Sequence, residues 1–198
     1  MASNIEIKAR ITGDVDAVHA RAAAIADTGP TLIEQRDTFF VTSRGRLKLR
    51  EFGGVCGSAE RGDVAESNGG CELPANALAE LIYYERPDAD APTASTYSRI
   101  VVSDPDALKA ALATAIGVRG VVSKHRTLYV ARETRIHIDN VDGLGAYLEL
   151  EVVLGSAEGA ASPGEGARRC SELMAELGVA DADLVDTAYI DLLEEAHR

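Results

Sequence analysis

Charged side chains recur at every second position in several short segments of this chain. In the first segment, residues 4–10, the charged residues Glu6, Lys8 and Arg10 alternate with small or aliphatic ones. Successive side chains of a β-strand point to opposite faces of a sheet, so these three charged groups are predicted to share one face. The same alternation recurs in four later segments, residues 46–50, 124–126, 135–139 and 149–151.

The charges are sorted by segment, which indicates a binding site rather than a wetted surface. Residues 46–50 carry Arg46, Lys48 and Arg50, whereas residues 149–151 carry Glu149 and Glu151. Arg binds phosphate oxygens through paired hydrogen bonds, and Lys supplies a point charge. Carboxylates are the side chains that Mg²⁺ prefers, together with the phosphate oxygens of a substrate. The division therefore predicts a site for a polyanion together with divalent cations.

The charged segments belong to a series of predicted strands that are joined mostly by short turns. The patterns predict strands at residues 4–12, 32–41, 46–52, 81–86, 96–103, 121–130, 134–141 and 146–154. Helices are predicted from the N-cap residue Asp14 to Gly29-Pro30, from Asp104 to Gly117, and at residues 167–177 and 182–196. Residues 53–70 are predicted to form a mobile insertion, with further loops at residues 88–94 and 156–166.

This series of elements favours an α+β fold. About eight strands and four helices are typical of an antiparallel barrel, or a strongly curved sheet, with helices outside. The charged faces could point outward around an apolar core, or inward to line a polar tunnel. Four amphipathic helices need apolar surface to cover, which favours the inward orientation.

Composition limits the classes of function. The 198 residues suit one domain, or at most two small ones. The net charge of −12 argues against general nucleic-acid binding. No apolar run is long enough for a membrane span, and we expect no secretory signal. The three cysteines lack metal-site spacing; Cys56 and Cys71 could pair under oxidation, but free thiols in a cytoplasmic setting are predicted.

An ordered set of motifs resembles one known family. Residues 4–8 (Asn-Ile-Glu-Ile-Lys) resemble the Glu-x-Glu-x-Lys signature that opens the CYTH superfamily. That superfamily contains class IV adenylate cyclases, thiamine triphosphatases and related triphosphate tunnel enzymes. The resemblance continues in order through residues 45–50, 84–87, 97–99, 124–126, 135–139, 143–151 and 189–193. The motifs are most similar to the bacterial class IV adenylate cyclase-like branch.

The resemblance implies an eight-stranded antiparallel tunnel with its charged faces inside. It implies a single domain, residues 1–198, with strands in about residues 1–154 and C-terminal helices in about residues 163–196. The triphosphate-binding side chains would be Lys8, Lys48, Arg50, Lys124 and Arg126, with Arg86, Arg99 and Arg135 in less defined roles. The ligands of Mg²⁺ or Mn²⁺ would be Glu6, Glu149 and Glu151. The catalytic candidates would be Lys8, Arg126 and Asp139.

The first Glu of the signature is Asn4 in this chain, and a neutral amide oxygen binds a metal ion more weakly. The resemblance implies a metal-dependent enzyme of class IV adenylate cyclase type, which converts ATP to cyclic AMP and pyrophosphate. One alternative is a triphosphatase that hydrolyses inorganic triphosphate, thiamine triphosphate or nucleoside triphosphates. Another is a non-catalytic protein that binds polyphosphate or a nucleotide. The expected partner is a small triphosphate rather than nucleic acid or a membrane, and class IV relatives suggest a homodimer.

Overall fold

The structure, a computed structural model, describes residues 3–57, 79–85, 93–154 and 163–198. Its strands are β1 (Ser3–Arg10), β2 (Thr28–Phe40), β3 (Arg46–Gly57), β4 (Ala79–Glu85), β5 (Thr93–Val102), β6 (Val118–Ala131), β7 (Thr134–Val141) and β8 (Gly145–Leu154). Its helices are α1 (Val15–Ile25), α2 (Pro105–Ile116), α3 (Pro163–Leu177) and α4 (Tyr189–Ala196), with a short 3-10 turn at Asp181–Asp183.

The eight strands form a closed antiparallel barrel in the order β1-β5-β4-β3-β2-β6-β7-β8. The ring closes because β1 pairs with β5 on one side and with β8 on the other. The hairpin of β2 and β3 places Asp37 opposite Arg50. The hairpin of β6 and β7 places Asp139 opposite Arg126. The expected antiparallel barrel is confirmed, and its register brings acidic and basic side chains into direct cross-strand pairs.

The strands turn their charged faces into the barrel and their apolar faces toward the helices. Ile5 and Ile7 of β1 belong to a buried cluster that includes Leu173 of α3. Across the barrel, Phe40 of β2 packs in a second cluster against which Leu108 of α2 lies. Burial of these apolar faces against the helices is the main favourable term in the stability of such a fold. The inward orientation of the charged faces is therefore the one that the structure has.

Two helices begin as the sequence predicts. The side chain of Asp14 accepts a hydrogen bond from the backbone N–H of Asp16, and Asp104 accepts one from Ala107. Such caps satisfy N–H groups that have no partner within the helix. Gly117 ends α2 with a φ of 84°, a value that glycine adopts without steric cost. Within the described part of the chain, none of the helices has the length and apolar character needed to cross a membrane.

Three predicted boundaries are wrong, the first of them for a tertiary reason. Helix α1 ends at Ile25 and not at Gly29-Pro30, because the N–H of Asp27 donates to the carbonyl of Val130 (2.8 Å) and draws the chain into the sheet. Strand β3 continues to Gly57, so the first part of the predicted insertion is strand, and its remainder lies outside the described residues. Helix α3 begins at Pro163, within a predicted loop.

The predicted helix at residues 182–196 is wrong in its first half. The N–H of Val185 donates to the carbonyl of Lys8 (2.8 Å), and Leu184 forms a β-bridge with Ala9. These contacts hold the segment before α4 in an extended conformation against β1. Helix α4 therefore begins only at Tyr189.

Candidate functional site

A cavity of about 410 Å³ lies inside the barrel. Among the described residues, eight Lys or Arg and six Asp or Glu side chains line it. This local excess of positive charge contrasts with the net charge of −12 of the whole chain. A positive interior draws anionic ligands into the barrel even though the protein as a whole is acidic. The lining includes ten of the predicted site residues: Glu6, Lys8, Lys48, Arg50, Arg99, Lys124, Arg126, Arg135, Glu149 and Glu151.

Lys48 and Arg50 of β3 share one carboxylate, that of Asp37 on β2. Lys48 Nζ donates to Asp37 Oδ2, and Arg50 donates to both carboxylate oxygens through Nε and Nη2, each bond being 2.8 Å long. The hairpin register puts Asp37 directly opposite Arg50, and the strand period brings Lys48 to the same face. We call this set the Asp37 clamp. The buried carboxylate fixes the direction of two cations at the cavity wall.

A second set, the Asp139 clamp, repeats the arrangement on β6 and β7. Lys124 Nζ donates to Asp139 Oδ2 (2.8 Å), and Arg126 donates through Nε (2.6 Å) and Nη2 (2.7 Å). The hydroxyl of Tyr189 also donates to Asp139 (3.1 Å), and Arg126 donates further to Glu149. Burial opposes ionisation of Asp139, but the charges of Arg126 and Lys124 hold its pKa below the usual range.

Burial and neighbouring charges shift the pKa values of the groups in both clamps. Burial opposes ionisation of Asp37, but the charges of Arg50 and Lys48 outweigh it and hold the pKa of that carboxyl well below its usual range. Burial, and then the charge of Arg50, lower the pKa of Lys48 to about 8. Burial and the charge of Arg126 lower the pKa of Lys124 in the same way. Both carboxyl groups are thus ionised at neutral pH, whereas the lysines lose their protons more readily than usual.

Carboxylates gather where β7, β8 and β1 meet. Glu6 of β1 is the direct cross-strand partner of Glu151 on β8. Arg135 of β7 is the partner of Glu151 on its other side and donates to it (3.0 Å). Cβ atoms of such partners lie about 4.5–5.5 Å apart, and like charges directly opposite one another are destabilising. The Glu6–Glu151 pair is therefore a place where a cation would relieve repulsion.

Glu149 lies two residues before Glu151, on the same face of β8. Its direct partner on β1 is Lys8, and on the other side Arg126 donates to its carboxylate. Burial opposes ionisation of Glu149, but Arg126 and other neighbouring cations hold its pKa well below the usual range. Glu149 is ionised and already neutralised in part by its neighbours.

The residues present suit a divalent cation that is bound by two carboxylates rather than by three. Within residues 3–57, 79–85, 93–154 and 163–198, no three His, Cys, Asp or Glu side chains converge as a ready metal cluster. Mg²⁺ typically takes one or two carboxylates and completes its shell with waters and substrate phosphates. Glu6 and Glu151, which face each other across paired strands, provide such a pair. Glu149 is close enough in register to contribute a third oxygen if Arg126 turns toward a ligand.

The segment before α4 and the start of that helix cover one end of the barrel. Lys8 Nζ donates to the carbonyl of Thr187 (2.8 Å) and lies 4.4 Å from the centre of the Tyr189 ring. Arg46, at the same end of the cavity, donates to Asp191 of α4 (2.7 Å). The covered end is thus held by ion pairs and by aromatic packing, not by backbone pairing alone.

Asp139 supports the site from behind the cavity wall. It is fully buried and is not among the lining residues, so it orients Lys124 and Arg126 without reaching a ligand. This position does not suit direct catalytic contact and makes Asp139 a positioning residue. Arg86 and the side chain of Asn4 lie outside the described part of the structure.

Sequence reasoning missed several polar residues of the cavity wall, among them Gln35, Asp37 and Glu80. Asp37 and Gln35 lie within residues 34–38, a run of consecutive polar residues that does not alternate with apolar ones, so neither forms a visible stripe. The missing signal was the hairpin register. A turn at residues 42–45 pairs Phe40 with Leu47, and counting back from there sets Asp37 against Arg50.

His137 and Tyr147 lie in different environments. His137 lines the cavity with Nδ1 3.8 Å from Glu149, and that nitrogen has no hydrogen-bond partner among the described residues. Burial and the charge of Arg126 lower its pKa, so the imidazole is neutral at pH 7. Tyr147 is fully buried and packs edge-on against Tyr189 (5.1 Å between ring centres), so it belongs to the core.

Known proteins share this architecture. The model of the CYTH domain family matches residues 2–189. A protein of Pyrococcus horikoshii is 22% identical over 96% of this chain and 98% of its own, with a TM-score of 0.72. A candidate adenylate cyclase of Vibrio parahaemolyticus is 18% identical over 96% and 97%, with a TM-score of 0.64. A Hippeastrum protein, described as a candidate adenylyl cyclase with a dominant triphosphatase activity, is 11% identical over 98% and 96%, with a TM-score of 0.60. No curated protein matches the chain at a significant level.

Proposed function

The chain belongs to the CYTH domain family, and from this premise we propose that it is a metal-dependent enzyme that acts on a triphosphate. The finer proposal is a class IV type adenylate cyclase, which forms cyclic AMP and pyrophosphate from ATP. The observation that carries the triphosphate assignment is the pair of clamps at the cavity wall. Together they present two Lys and two Arg side chains that are oriented in advance by buried carboxylates.

The clamps contain the two kinds of side chain that bind phosphate. Guanidinium groups bind phosphate oxygens through paired hydrogen bonds, and ammonium groups add charge without a fixed direction. Phosphoryl transfer depends mainly on positioning and on stabilising charge, with little covalent chemistry for the protein to do. Groups that are already oriented add that stabilisation without reorganising during the reaction. In the Asp37 and Asp139 clamps, the carboxylates orient the cations before a substrate binds.

Glu6 and Glu151, with Glu149 beside them, would hold Mg²⁺ or Mn²⁺. A divalent cation bound there would neutralise phosphate oxygens as negative charge develops on the leaving group. The protein's own contribution is to keep the carboxylates adjacent, and to keep Arg135 beside Glu151. Lys8, which stands opposite Glu149, adds a positive charge next to the same carboxylates.

In the cyclase reaction, the ribose 3′-oxygen forms a bond to the α-phosphorus while the bond from that phosphorus to the leaving pyrophosphate breaks. The proton of the 3′-hydroxyl passes to water as this bond forms. We assign Arg126 and Lys8 to stabilise the charge that develops on the phosphate oxygens, since both line the cavity near Glu149. Asp139 has the supporting role of holding Arg126 in place.

Hydrolysis of a triphosphate is the second candidate reaction. The same cations would hold the substrate, but water would attack the terminal phosphorus in place of the ribose oxygen. The bond from that phosphorus to the bridging oxygen would break, which releases orthophosphate and leaves the diphosphate. The observation in its favour is that both clamps are directed at phosphate and neither depends on a nucleoside. The Hippeastrum protein of the same fold, described as having a dominant triphosphatase activity, adds support for this alternative. A non-catalytic triphosphate-binding role is a further candidate, because Asn4 replaces an acidic residue of the family signature.

A product assay distinguishes these reactions. The protein is incubated with Mg²⁺ or Mn²⁺ and, in parallel, with ATP, tripolyphosphate or thiamine triphosphate. Cyclic AMP with pyrophosphate establishes the cyclase, and orthophosphate without cyclic AMP establishes the triphosphatase. Lys48→Ala/Arg50→Ala serves as the impaired variant, and Arg44→Ala, whose side chain is largely exposed, as the matched control. Binding of all three compounds without any product supports the non-catalytic role, and absence of binding contradicts all three proposals.

A further inference from the structure

One part of the cavity wall is apolar. Phe52 of β3, Ile33 of β2 and Leu128 of β6 all line the cavity, on three adjacent strands. Phe52 is the cross-strand partner of Gln35, which lies two residues after Ile33 on β2. Leu128 is the cross-strand partner of Thr31, which lies two residues before Ile33. Such diagonal neighbours on one face lie about 7–8 Å apart, within reach of long side chains. The three therefore form a continuous surface, which we call the apolar wall.

Gln35 stands in this wall with an unused hydrogen-bond acceptor. Its side chain is 7% exposed and lines the cavity directly opposite Phe52. Its Oε1 atom has no hydrogen-bond partner among the described residues. A buried polar atom without a partner costs free energy, and a ligand that supplies the partner removes that cost. The partner that Gln35 Oε1 needs is a hydrogen-bond donor.

Glu80 repeats this feature on the other side of Phe52. It lines the cavity from β4, opposite Arg50, and is 2% exposed. Its Oε1 atom also lacks a hydrogen bond within the described structure, although Arg99 Nε lies 3.4 Å away. Two buried acceptor oxygens thus flank an aromatic ring.

An ionised triphosphate cannot satisfy these acceptors. Its oxygens accept hydrogen bonds and carry negative charge, so they would be repelled by Glu80 and left unpaired by Gln35 Oε1. A sugar hydroxyl or the amino group of a heterocycle donates hydrogen bonds and presents a flat, weakly polar face. Ligand sites typically combine apolar walls with a few polar groups that fix orientation. The apolar wall with its acceptors therefore fits the organic part of a substrate.

Tyr84, another aromatic residue of the cavity wall, is less suited to this task. The Tyr84 ring has Lys48 Nζ 5.6 Å and the Arg46 guanidinium 5.9 Å from its centre, so cations already occupy its surroundings. Tyr84 belongs with the phosphate-binding groups, whereas Phe52 stands beside uncharged Gln35.

We propose that Phe52, Gln35 and Glu80 form a seat for the donor-bearing organic group of an organic triphosphate, with Gln35 as a specificity-determining residue. The proposal rests on the proposed function, because it assumes that the clamps hold the phosphates. It assigns the substrate to the organic triphosphates, such as nucleoside triphosphates, rather than to inorganic tripolyphosphate.

Calorimetric titration of ATP and of tripolyphosphate, with EDTA present to prevent turnover, tests the seat separately from the clamps. Gln35→Leu should weaken ATP binding about tenfold and leave tripolyphosphate binding unchanged, because only ATP supplies a donor. Its melting temperature should not fall, since a buried acceptor without a partner is removed. Phe52→Leu should weaken ATP binding selectively as well. Leu32→Ala, at an exposed position of β2, should change neither affinity.

The outcomes distinguish a wrong seat from a wrong proposed function. If wild-type protein binds ATP no more tightly than tripolyphosphate, or if Gln35→Leu weakens both ligands equally, the seat is wrong and the phosphate site stands. If wild-type protein binds neither compound in EDTA nor with Mg²⁺ added, the proposed function itself is wrong. A selective loss of ATP affinity in both variants establishes the seat.

Discussion

Asp37 and Asp139 occupy equivalent positions two strands apart in the barrel. Each lies directly opposite an arginine on a neighbouring strand, and each also accepts a hydrogen bond from the lysine two residues before that arginine. The two differ in depth, because Asp37 lines the cavity and Asp139 does not. The barrel thus presents the same three-residue arrangement twice around its axis, once at the surface of the cavity and once with its carboxylate behind the wall.

Asp139→Asn should strongly destabilise the protein. The substitution leaves Lys124 and Arg126 buried beside a neutral amide, and breaking a buried ion pair in this way costs about 3–5 kcal/mol. Urea denaturation at pH 7 measures the change in the free energy of unfolding. Asp142→Asn, in an exposed turn, is the matched control and should change it by less than about 0.5 kcal/mol. Equal stability of the two variants would contradict the clamp.

The same substitution should alter the acid limb of the stability profile. The folded-state pKa of Asp139 is depressed, so its contribution is present above the unfolded value of 3.8 and is lost as the pH falls toward the folded value. Wild-type protein should therefore lose stability more steeply than Asp139→Asn below about pH 4. Denaturation midpoints from pH 6 down to pH 3 check this difference in slope.

Lys48 should make triphosphate binding sensitive to alkaline pH. Its pKa in the ligand-free protein is lowered to about 8, so above that pH the ammonium loses its proton and binding must restore it. Affinity for tripolyphosphate should therefore fall as pH rises from 7 to 9.5. Lys48→Arg keeps its charge throughout this range and should bind with a flatter pH profile.

The ratio of wild-type to Lys48→Arg affinity at each pH removes the titration of the ligand itself. A ratio that stays constant from pH 7 to 9.5 would show that Lys48 does not titrate in this window. The titration of Lys124, whose pKa is also lowered, is common to both proteins and cancels in the same ratio.

The sequence predicts the charged faces because their strands alternate with period two, a property of each strand alone. The family resemblance implied that Lys8, Lys48, Arg50, Lys124 and Arg126 on these faces point inward and bind phosphate, and all five line the cavity. The strand order could not be predicted locally, because the pairing of β1 with β5 and β8 joins segments far apart in the chain. The extended segment before α4 was missed for the same reason, since Lys8 and Ala9 hold it in place.

Glu6→Gln should remove the stabilisation that a bound metal ion gives the protein. Glu6 and Glu151 are direct cross-strand partners, so the substitution removes one of the two carboxylates that would hold the ion. The melting temperature should no longer rise on adding Mg²⁺ or Mn²⁺. Activity at limiting metal should fall at least about tenfold.

Glu151→Gln should lose activity in the same way, whereas Glu133→Gln, at an exposed turn, is the control. A metal-induced stabilisation that survives in both Glu6→Gln and Glu151→Gln would move the metal site away from this pair.

Tyr189→Phe should loosen the covered end of the barrel while keeping its packing. The lost hydroxyl donates to the ionised Asp139, and a hydrogen bond to a charged group contributes about 1.5–3 kcal/mol. Urea denaturation measures this loss. Tyr83→Phe removes a hydroxyl that donates to Glu85 near the surface and should cost less than half as much. Similar losses in the two variants would show that the buried hydroxyl of Tyr189 contributes no more than the hydroxyl of Tyr83 near the surface.

The pairing of the first strand with the last has a consequence for how the chain folds. Ser3 pairs with Leu154, and Glu6 with Glu151, so the ring cannot close until nearly all of the barrel sequence is available. During synthesis from the N-terminus, β1 is made first and has no strand to pair with until β5, and later β8, has been made. Closing such long loops costs entropy before the contacts repay it, which makes folding slow. We therefore expect the hairpins β2–β3 and β6–β7, which carry the two clamps, to form first and the metal-binding carboxylates to meet last.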